Sequence, residues 1–307
     1  MHSPETVILL LTYNNKDTIG KALDDLVSQK YSSYDLFIFD DFSTDGTYEA
    51  CYNYTKKHSN IKLFRNEKNL GVIGNCSLSL NFLYTEICKY SFFLWACPDD
   101  EWDKEYLKSC IQTLKENKSY VACQSYISVT YKKSQLSYVQ KYETLMYNSP
   151  FRSIRKIFKH LDSNGFPLCY NQCIHSVIRS EFLYKLFPLE NNRFINYLVC
   201  ELSIVGLMVA YGGLIINEKI LSTKNIYEPF EKLNPSDAFS IMRNNKINYF
   251  ISSFKILRVI ADGKIKNKFC LVYIFWRTLV FYVLQPPYIR LKIYIYEKFI
   301  KRLKNVK

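Results

Sequence analysis

Residues 12–47 read TYNNKDTIGKALDDLVSQKYSSYDLFIFDDFSTDGT, and the order of signals in this stretch decides the fold. It follows the β-rich apolar run Thr6–Leu11 with a polar turn, a helical pattern over Thr18–Gln29, and a second apolar run at Leu36–Phe39. That second run ends in DDFSTDGT, a cluster of turn and N-cap residues leading into helical Tyr48–Lys57. Strand, helix, strand and helix at this spacing predict βαβ units on a mostly parallel central sheet, an α/β fold.

The alternation continues outward from there. Ile61–Phe64 reads as a third strand, NEKNLG breaks the chain, and Ile73–Leu83 has helical apolar spacing. Ser91–Ala96 is a fourth strand, Lys104–Glu116 a helix and Tyr120–Gln124 a fifth strand. From Tyr126 to Tyr170 the pattern is irregular and rich in Tyr, Lys and Ser, as expected of loops that cover a site. Phe194–Tyr211 reads as a largely buried helix, followed by two glycines and a short apolar strand, Leu214–Ile216. Beyond Tyr227 the chain reads as helical and increasingly basic, and no internal repeat is present.

Composition narrows the class. A chain of 307 residues, 48% hydrophobic, can bury a sizeable core and suits one large domain or a domain plus an appendage. Nine Gly and nine Pro exclude low-complexity and collagen-like folds. The ten cysteines are scattered without a CxxC pair, which argues against a zinc ribbon and for free thiols in a reducing compartment. Cys169, Cys173 and His175 lack a fourth partner at metal-site spacing. Met1–Glu5 is polar and no signal-peptide core follows, so a cytoplasmic protein is expected.

In an open α/β sheet, ligands collect outside the carboxyl ends of the strands. Three polar clusters are predicted there: Thr12–Tyr13–Asn14, Asp40–Asp41 and Asp99–Asp100. The last stands in FFLWACPDDEW (92–102), where an apolar strand stops at Pro98 and delivers two adjacent carboxylates. The first βα turn has neither GxGxxG nor a P-loop, so a glycine cradle for phosphate is excluded there. Adjacent carboxylates suit a hard divalent cation that also binds substrate phosphates. The alternative is that Asp99 and Asp100 cap the next helix, as Thr44 and Asp45 would cap theirs.

These residues carry a resemblance. The stretch 12–47, NEKNLGVIGN (66–75) and WACPDDEWDKEYL (95–107) together resemble the family 2 glycosyltransferases, strongly over residues 6–125, more faintly to 225 and not in the tail. The resemblance implies a GT-A nucleotide-diphospho-sugar transferase fold and an inverting transferase that uses a nucleotide-sugar donor with Mn2+ or Mg2+. It implies that Tyr13 stacks on the base, that Asp41 accepts a hydrogen bond from it with Asp40 as the neighbouring candidate, and that Thr12 and Asn14 bind the nucleotide-sugar with them. Asp99 would approach the ribose or metal, Asp100 would be the main metal ligand, and Asn75 would lie near the phosphates. The commoner motif has an Asp where this chain has Cys97, a poor partner for oxygen-seeking cations. In VCELSIVGLMVAYGG (199–213), Glu201 stands at the family's catalytic-base position with Gly212 at the expected offset. A lone acid in apolar surroundings has a raised pKa, which suits a proton acceptor. Pairing with Arg179 or Lys224 is the structural alternative for Glu201.

The division expected is a catalytic domain over 1–225, its nucleotide-sugar half at 1–125 and its acceptor half at 126–225, followed by a basic helical extension over 226–307. Of the net charge of +13, the segment from Lys255 carries thirteen Lys/Arg against two acids, 13 − 2 = +11. Its apolar stretch Phe269–Leu284 holds Arg277 and is short for a membrane span of about 20 residues. Residues 255–307 therefore suit an interfacial contact with an anionic membrane surface, on the inner face of the plasma membrane. No nucleic-acid-binding motif accompanies the charge. The function expected is sugar transfer to a cell-surface glycan or a lipid-linked oligosaccharide. A catalytically silent module that binds nucleotide or tethers partner enzymes is the alternative.

Overall fold

The computed structural model describes residues 4–87, 89–132, 135–146, 153, 170–186, 205, 208–209 and 211–226. Four parallel strands form one half of the sheet: β1 (Thr6–Thr12), β2 (Tyr34–Asp40), β3 (Ile61–Arg65) and β4 (Phe92–Ala96). Helices α1 (Lys16–Val27), α2 (Thr47–Thr55) and α3 (Gly71–Ile87) make the crossovers. Val7 to Leu10 and Phe92 to Ala96 are buried on both faces, which is why their sequences are continuous apolar runs and not alternating ones.

Beyond β4 the sheet continues through β5 (Glu101–Trp102), helix α4 (Tyr106–Glu116), β6 (Ala122–Tyr131), β7 (Leu136–Gln140) and β8 (Leu145–Met146). A 3-10 turn (Tyr170–His175) leads into β9 (Val177–Arg179) and α5 (Ser180–Leu186), and β10 (Gly213–Ile226) closes the described chain. The order is β3-β2-β1-β4-β9-β6-β10-β5, with β7 beside β6 and β8 beside β10. Strand β9 is antiparallel to both β4 and β6, while β10 is parallel to β6. Six of the ten strands among the described residues (β1, β2, β3, β4, β6, β10) thus share one direction. This is the mixed, mostly parallel α/β sheet expected.

Helical spacing places the core. Ile19, Ala22, Leu23 and Leu26 of α1, and Tyr106, Leu107, Cys110, Ile111 and Leu114 of α4, are the buried stripes that pack on the sheet. Each fully buried Leu, Ile or Phe contributes about 1.5–3 kcal/mol. Phe39 stacks on Phe64 at 4.7 Å between ring centroids, with Phe82 against both. Asp45 accepts from the Lys16 N–H (3.0 Å) and the Thr47 N–H (2.9 Å), so one carboxylate satisfies the starts of both α1 and α2.

Two stretches differ from expectation. Part of the region read as loops between Tyr126 and Tyr170 is strand: β6 runs on to Tyr131 and turns back as β7. There Ile127, Val129 and Tyr131 face inward and Tyr126, Ser128 and Thr130 are half-exposed, so the Tyr and Ser that suggested loops are the outward half of an alternating pattern. Strand β10 extends ten residues past Ile216, through register irregularities between Asn217 and Ser222, and this carries Lys224 and Asn225 into the sheet. Most of the predicted helix Phe194–Tyr211, with Glu201, and the basic extension lie outside the described residues.

Candidate active site

The strand ends converge as the topology requires. β2, β1 and β4 are neighbours, and Thr12 pairs in register with Asp40, so Thr12–Tyr13–Asn14, Asp40–Asp41 and the chain after Ala96 share one sheet edge. Thr12 is buried: its hydroxyl donates to Asn15 Oδ1 at 2.9 Å and its carbonyl accepts the Asp41 N–H at 2.9 Å. Asn14 adopts φ 51°, its N–H donates to Ser43 Oγ and its Oδ1 accepts the Thr44 N–H, both at 3.0 Å. Thr12 and Asn14 therefore build the loop, and Tyr13 is left 45% exposed at its tip.

Asp40 is fully buried; its Oδ2 accepts the Ser43 N–H at 3.0 Å and lies 3.5 Å from Arg65 Nε. Burial pushes its carboxyl above the ordinary range, against the opposing pull of Ser43 and Arg65. Asp41 Oδ1 accepts from Asn66 Nδ2 (2.7 Å) and from the Leu70 N–H (2.8 Å). A carboxylate offers about four lone-pair sites, so Oδ2 remains for a ligand's donor. Asn75, placed near the phosphates by the sequence, is buried and its amide is committed internally. Its Nδ2 donates to the Phe39 carbonyl and its Oδ1 accepts from Asn66, both at 3.1 Å. Asn66 is thus the hinge between Asp41 and Asn75, a role its place in a loop motif did not reveal.

At the third cluster, Cys97–Asp100 forms a turn with Pro98 at its second position and the Asp100 N–H directed at the Cys97 carbonyl (3.4 Å). Asp99 is half-exposed, whereas Asp100 is 6% exposed. Lys224 of β10 faces both acids: its Nζ lies 3.0 Å from Asp100 Oδ1, 3.3 Å from Oδ2 and 3.9 Å from Asp99 Oδ1. Only the Oδ2 contact has hydrogen-bond direction, so the buried Oδ1 has charge compensation without a hydrogen bond. Burial raises Asp100 to about 6, with Lys224 pulling the other way. Burial also works against the charge on Lys224, but Cys97 and the two acids outweigh it and hold the ammonium protonated. Asn225 Nδ2 donates to the Asp99 carbonyl (2.9 Å) and to Glu101 Oε1 (3.0 Å), tying the acid turn to β10.

Cys97, Asp99 and Asp100 bring three ligand atoms within 4.8 Å of one another. The two carboxylates, one with an oxygen lacking any hydrogen bond, fit a hard divalent cation; the Cys97 thiol does not add to that fit. Behind the thiol, His175 Nε2 lies 3.5 Å from Cys97 Sγ. A small cavity lined by Asp100, Gln124, His175, Ser222 and Lys224 adjoins the acids. A larger cleft of about 410 Å3, bordered by Lys21, Asp25, Trp102 and Ile220, contains neither Asp99 nor Asp100.

The two cations considered as partners for Glu201, which lies outside the described residues, each have contacts among the described residues. Lys224 holds the acid pair, and Arg179 donates to the carbonyls of Tyr120 (2.9 Å) and Leu114 (2.5 Å) at the end of α4. Lys224 could not be placed from sequence because it follows an irregular strand whose register no local pattern fixes. Among the described residues no helix is long and apolar enough to cross a membrane.

Comparison with known proteins points to glycosyltransferases. The family model "Glycosyl transferase family 2" matches residues 7–187. A UDP-Glc:alpha-D-GlcNAc-diphosphoundecaprenol beta-1,3-glucosyltransferase of Escherichia coli is 28% identical over 121 residues, 39% of this chain and 45% of that protein. A poly(ribitol-phosphate) beta-glucosyltransferase of Bacillus spizizenii is 30% identical over 117 residues, 36% of this chain and 17% of that protein. The matches thus span less than half the length of these curated relatives. The crystal structure of S. aureus TarS 1-349 in complex with UDP-GlcNAc superposes with a TM-score of 0.53 at 16% identity, covering 91% of this chain and 73% of that one.

Proposed function

The chain belongs to glycosyl transferase family 2, and from that premise we propose that it is an inverting transferase moving a sugar from a nucleoside diphosphate, UDP first of all, to a hydroxyl of a growing cell-surface glycan. The observation that carries this proposal is the row of polar strand ends at β1, β2 and β4, with exposed Tyr13, buried Asp41 and the Asp99–Asp100 turn along one edge. UDP is supported by a relative named for UDP-Glc and by TarS, a protein of the same fold crystallised with UDP and with UDP-GlcNAc. A lipid-linked or polymeric acceptor is supported by the diphosphoundecaprenol and poly(ribitol phosphate) in the relatives' names.

In this scheme Tyr13 stacks on the base and Asp41 accepts from it through Oδ2, while Asp40, Thr12, Asn14 and Asn75 hold that wall in place. Asp100 and Asp99 would hold Mn2+ or Mg2+, whose chemistry there is to neutralise the departing diphosphate. Glu201 takes the acceptor's proton as the acceptor oxygen bonds to the anomeric carbon. The bond from that carbon to the donor phosphate oxygen breaks on the opposite face, and its electron pair leaves with the nucleoside diphosphate. Residues 1–225 form the catalytic unit in this proposal, and the basic segment 255–307 holds it at an anionic membrane surface near its acceptor.

The test is release of nucleoside diphosphate from UDP-, GDP- and dTDP-sugars with a divalent cation, for the full chain and for Asp100→Ala. Turnover that the substitution removes supports the assignment. Equal, negligible turnover in both proteins despite UDP binding overturns it in favour of a silent nucleotide-binding module, the reading that the Lys224–Asp100 ion pair favours.

A further inference from the structure

The acid pair of this site already faces a cation belonging to the chain. Lys224 Nζ lies between the two carboxylates, 3.0 Å from Asp100 and 3.9 Å from Asp99, at the place where a metal bound to both would carry its charge. Its neighbours hold it there: Asn225 clamps the acid turn to β10, and Ser222, two residues earlier on the same face, borders the same cavity as Asp100. Charge counting sets the consequence. Two carboxylates and one ammonium sum to −2 + 1 = −1, and adding a divalent cation makes +1 within a few ångströms, in a site where Asp100 is largely shielded from water. The lysine and the metal therefore compete for the same carboxylate oxygens. A lysine is a point charge on a flexible four-carbon stem, and a diphosphate beside the metal gives it a second anion to move to.

We propose that Lys224 is an exchangeable counter-ion. It closes the acid pair when no donor is bound and transfers to the donor diphosphate when the metal takes the acids, so that metal and nucleotide bind with positive cooperativity. The competition between lysine and metal stands on the described geometry alone; the transfer to diphosphate rests on the donor site proposed above.

Mn2+ binding to the full chain, read from the loss of the free-ion electron paramagnetic resonance signal with and without UDP, tests both parts without any turnover. Without UDP, Lys224→Met should bind Mn2+ about tenfold more tightly than the natural chain, and Lys224→Arg, which keeps the charge, should not. UDP should raise the Mn2+ affinity of the natural chain by about tenfold more than that of Lys224→Met. Lys224→Gln serves in the same way if the Met variant does not fold, and a larger rise of melting temperature on adding Mn2+ reports the same competition. Equal Mn2+ affinity in the natural and charge-free proteins overturns the counter-ion role. Tighter binding in the variant with an identical UDP effect in both overturns the transfer and leaves the competition. Mn2+ competition without turnover on any sugar donor would sink the enzymatic assignment and not this one.

Discussion

His175 binds the carbonyl of Trp95 through Nδ1 at 2.9 Å, and that single contact fixes its tautomer. A carbonyl only accepts, so Nδ1 carries the proton and Nε2, 3.5 Å from Cys97 Sγ, presents a lone pair to the thiol. The position where the family motif commonly has an acid thus holds a cysteine sulfur facing a neutral imidazole. With that imidazole uncharged, Lys224 is the cation nearest the acid pair among the described residues.

Stability should respond to pH through two buried groups with opposite signs. His175 is pulled down to about 4, chiefly by burial and then by Lys224. Its contribution is present above its ordinary value of 6.5 and is lost as pH falls toward 4. Asp100 is raised to about 6, so its contribution is present below its ordinary 3.8 and is lost as pH rises through 6. Each has a limiting slope of about 1.4 kcal/mol per pH unit, and between pH 4 and 6 they offset. Urea midpoints of the natural chain in metal-free buffer should therefore change little in that window. Asp100→Asn should lose stability on acidification and His175→Gln should gain it; parallel curves for all three proteins would show that the two groups do not titrate there.

Gly212 has no room for a side chain. A methyl group there would lie 2.5 Å from Val121 Cγ1 and 2.9 Å from the Ser119 carbonyl oxygen. The sequence marked this glycine only by its offset from Glu201, and packing of the β10 entrance on the connection between α4 and β6 supplies a structural reason for it. Gly212→Ala should cost about 1–3 kcal/mol of unfolding free energy. Adding Val121→Ala should recover part of the loss and not all, because the backbone oxygen remains. Additive losses in the double variant would mean that the Val121 contact does not limit the site.

The parallel half of the fold was legible because both of its signals are local. Continuous apolar runs such as TVILLLT and FFLWA mark strands buried on both faces, and the turn residues after them mark the ligand edge. What stayed hidden depends on distant pairing. The register of β10 is set by β6 and β5, some hundred residues away, and only that register brings Lys224 to Asp100 and Asn225 to Asp99. Asn66 and Asn75 were visible as motif letters, but a motif does not say whether an amide faces ligand or protein.

Asn66 should matter to nucleotide binding without touching nucleotide. Its Nδ2 donates both to Asp41 and to Asn75. Asn66→Ala leaves a buried acceptor on Asn75 unpaired, at a cost of about 1–3 kcal/mol, and leaves Asp41 held by the Leu70 N–H alone. UDP affinity measured by calorimetry should fall several-fold, about 5-fold or more. Asn66→Asp, which sets a like charge against Asp41, should do worse. Unchanged UDP affinity in a folded Asn66→Ala protein would show that Asp41 needs no such support.

Phe42 offers the sharpest test of strain at the ligand edge. It holds φ 65°, because the Asp41 N–H is bound to Thr12 and the Ser43 N–H to Asp40 on either side of it. Its ring is exposed, 5.3 Å from the Arg65 guanidinium. For an L-residue this conformation costs about 1–2 kcal/mol, and the exposed cation–π contact returns about 0.5–1 kcal/mol. Phe42→Gly relieves the strain, loses the ring contact and adds freedom to the unfolded chain worth about 0.4–1 kcal/mol, so its net stability should stay close to that of the natural protein. Phe42→Ala loses the ring and keeps the strain, because a Cβ is enough to cause it. Gly should therefore exceed Ala at this position by about 1 kcal/mol in urea unfolding, the reverse of their order at ordinary backbone angles. If Ala is the more stable of the two, the backbone at Phe42 is not held left-handed. If the ring serves the donor rather than the fold, both variants should show the same rise in donor KM despite their different stabilities.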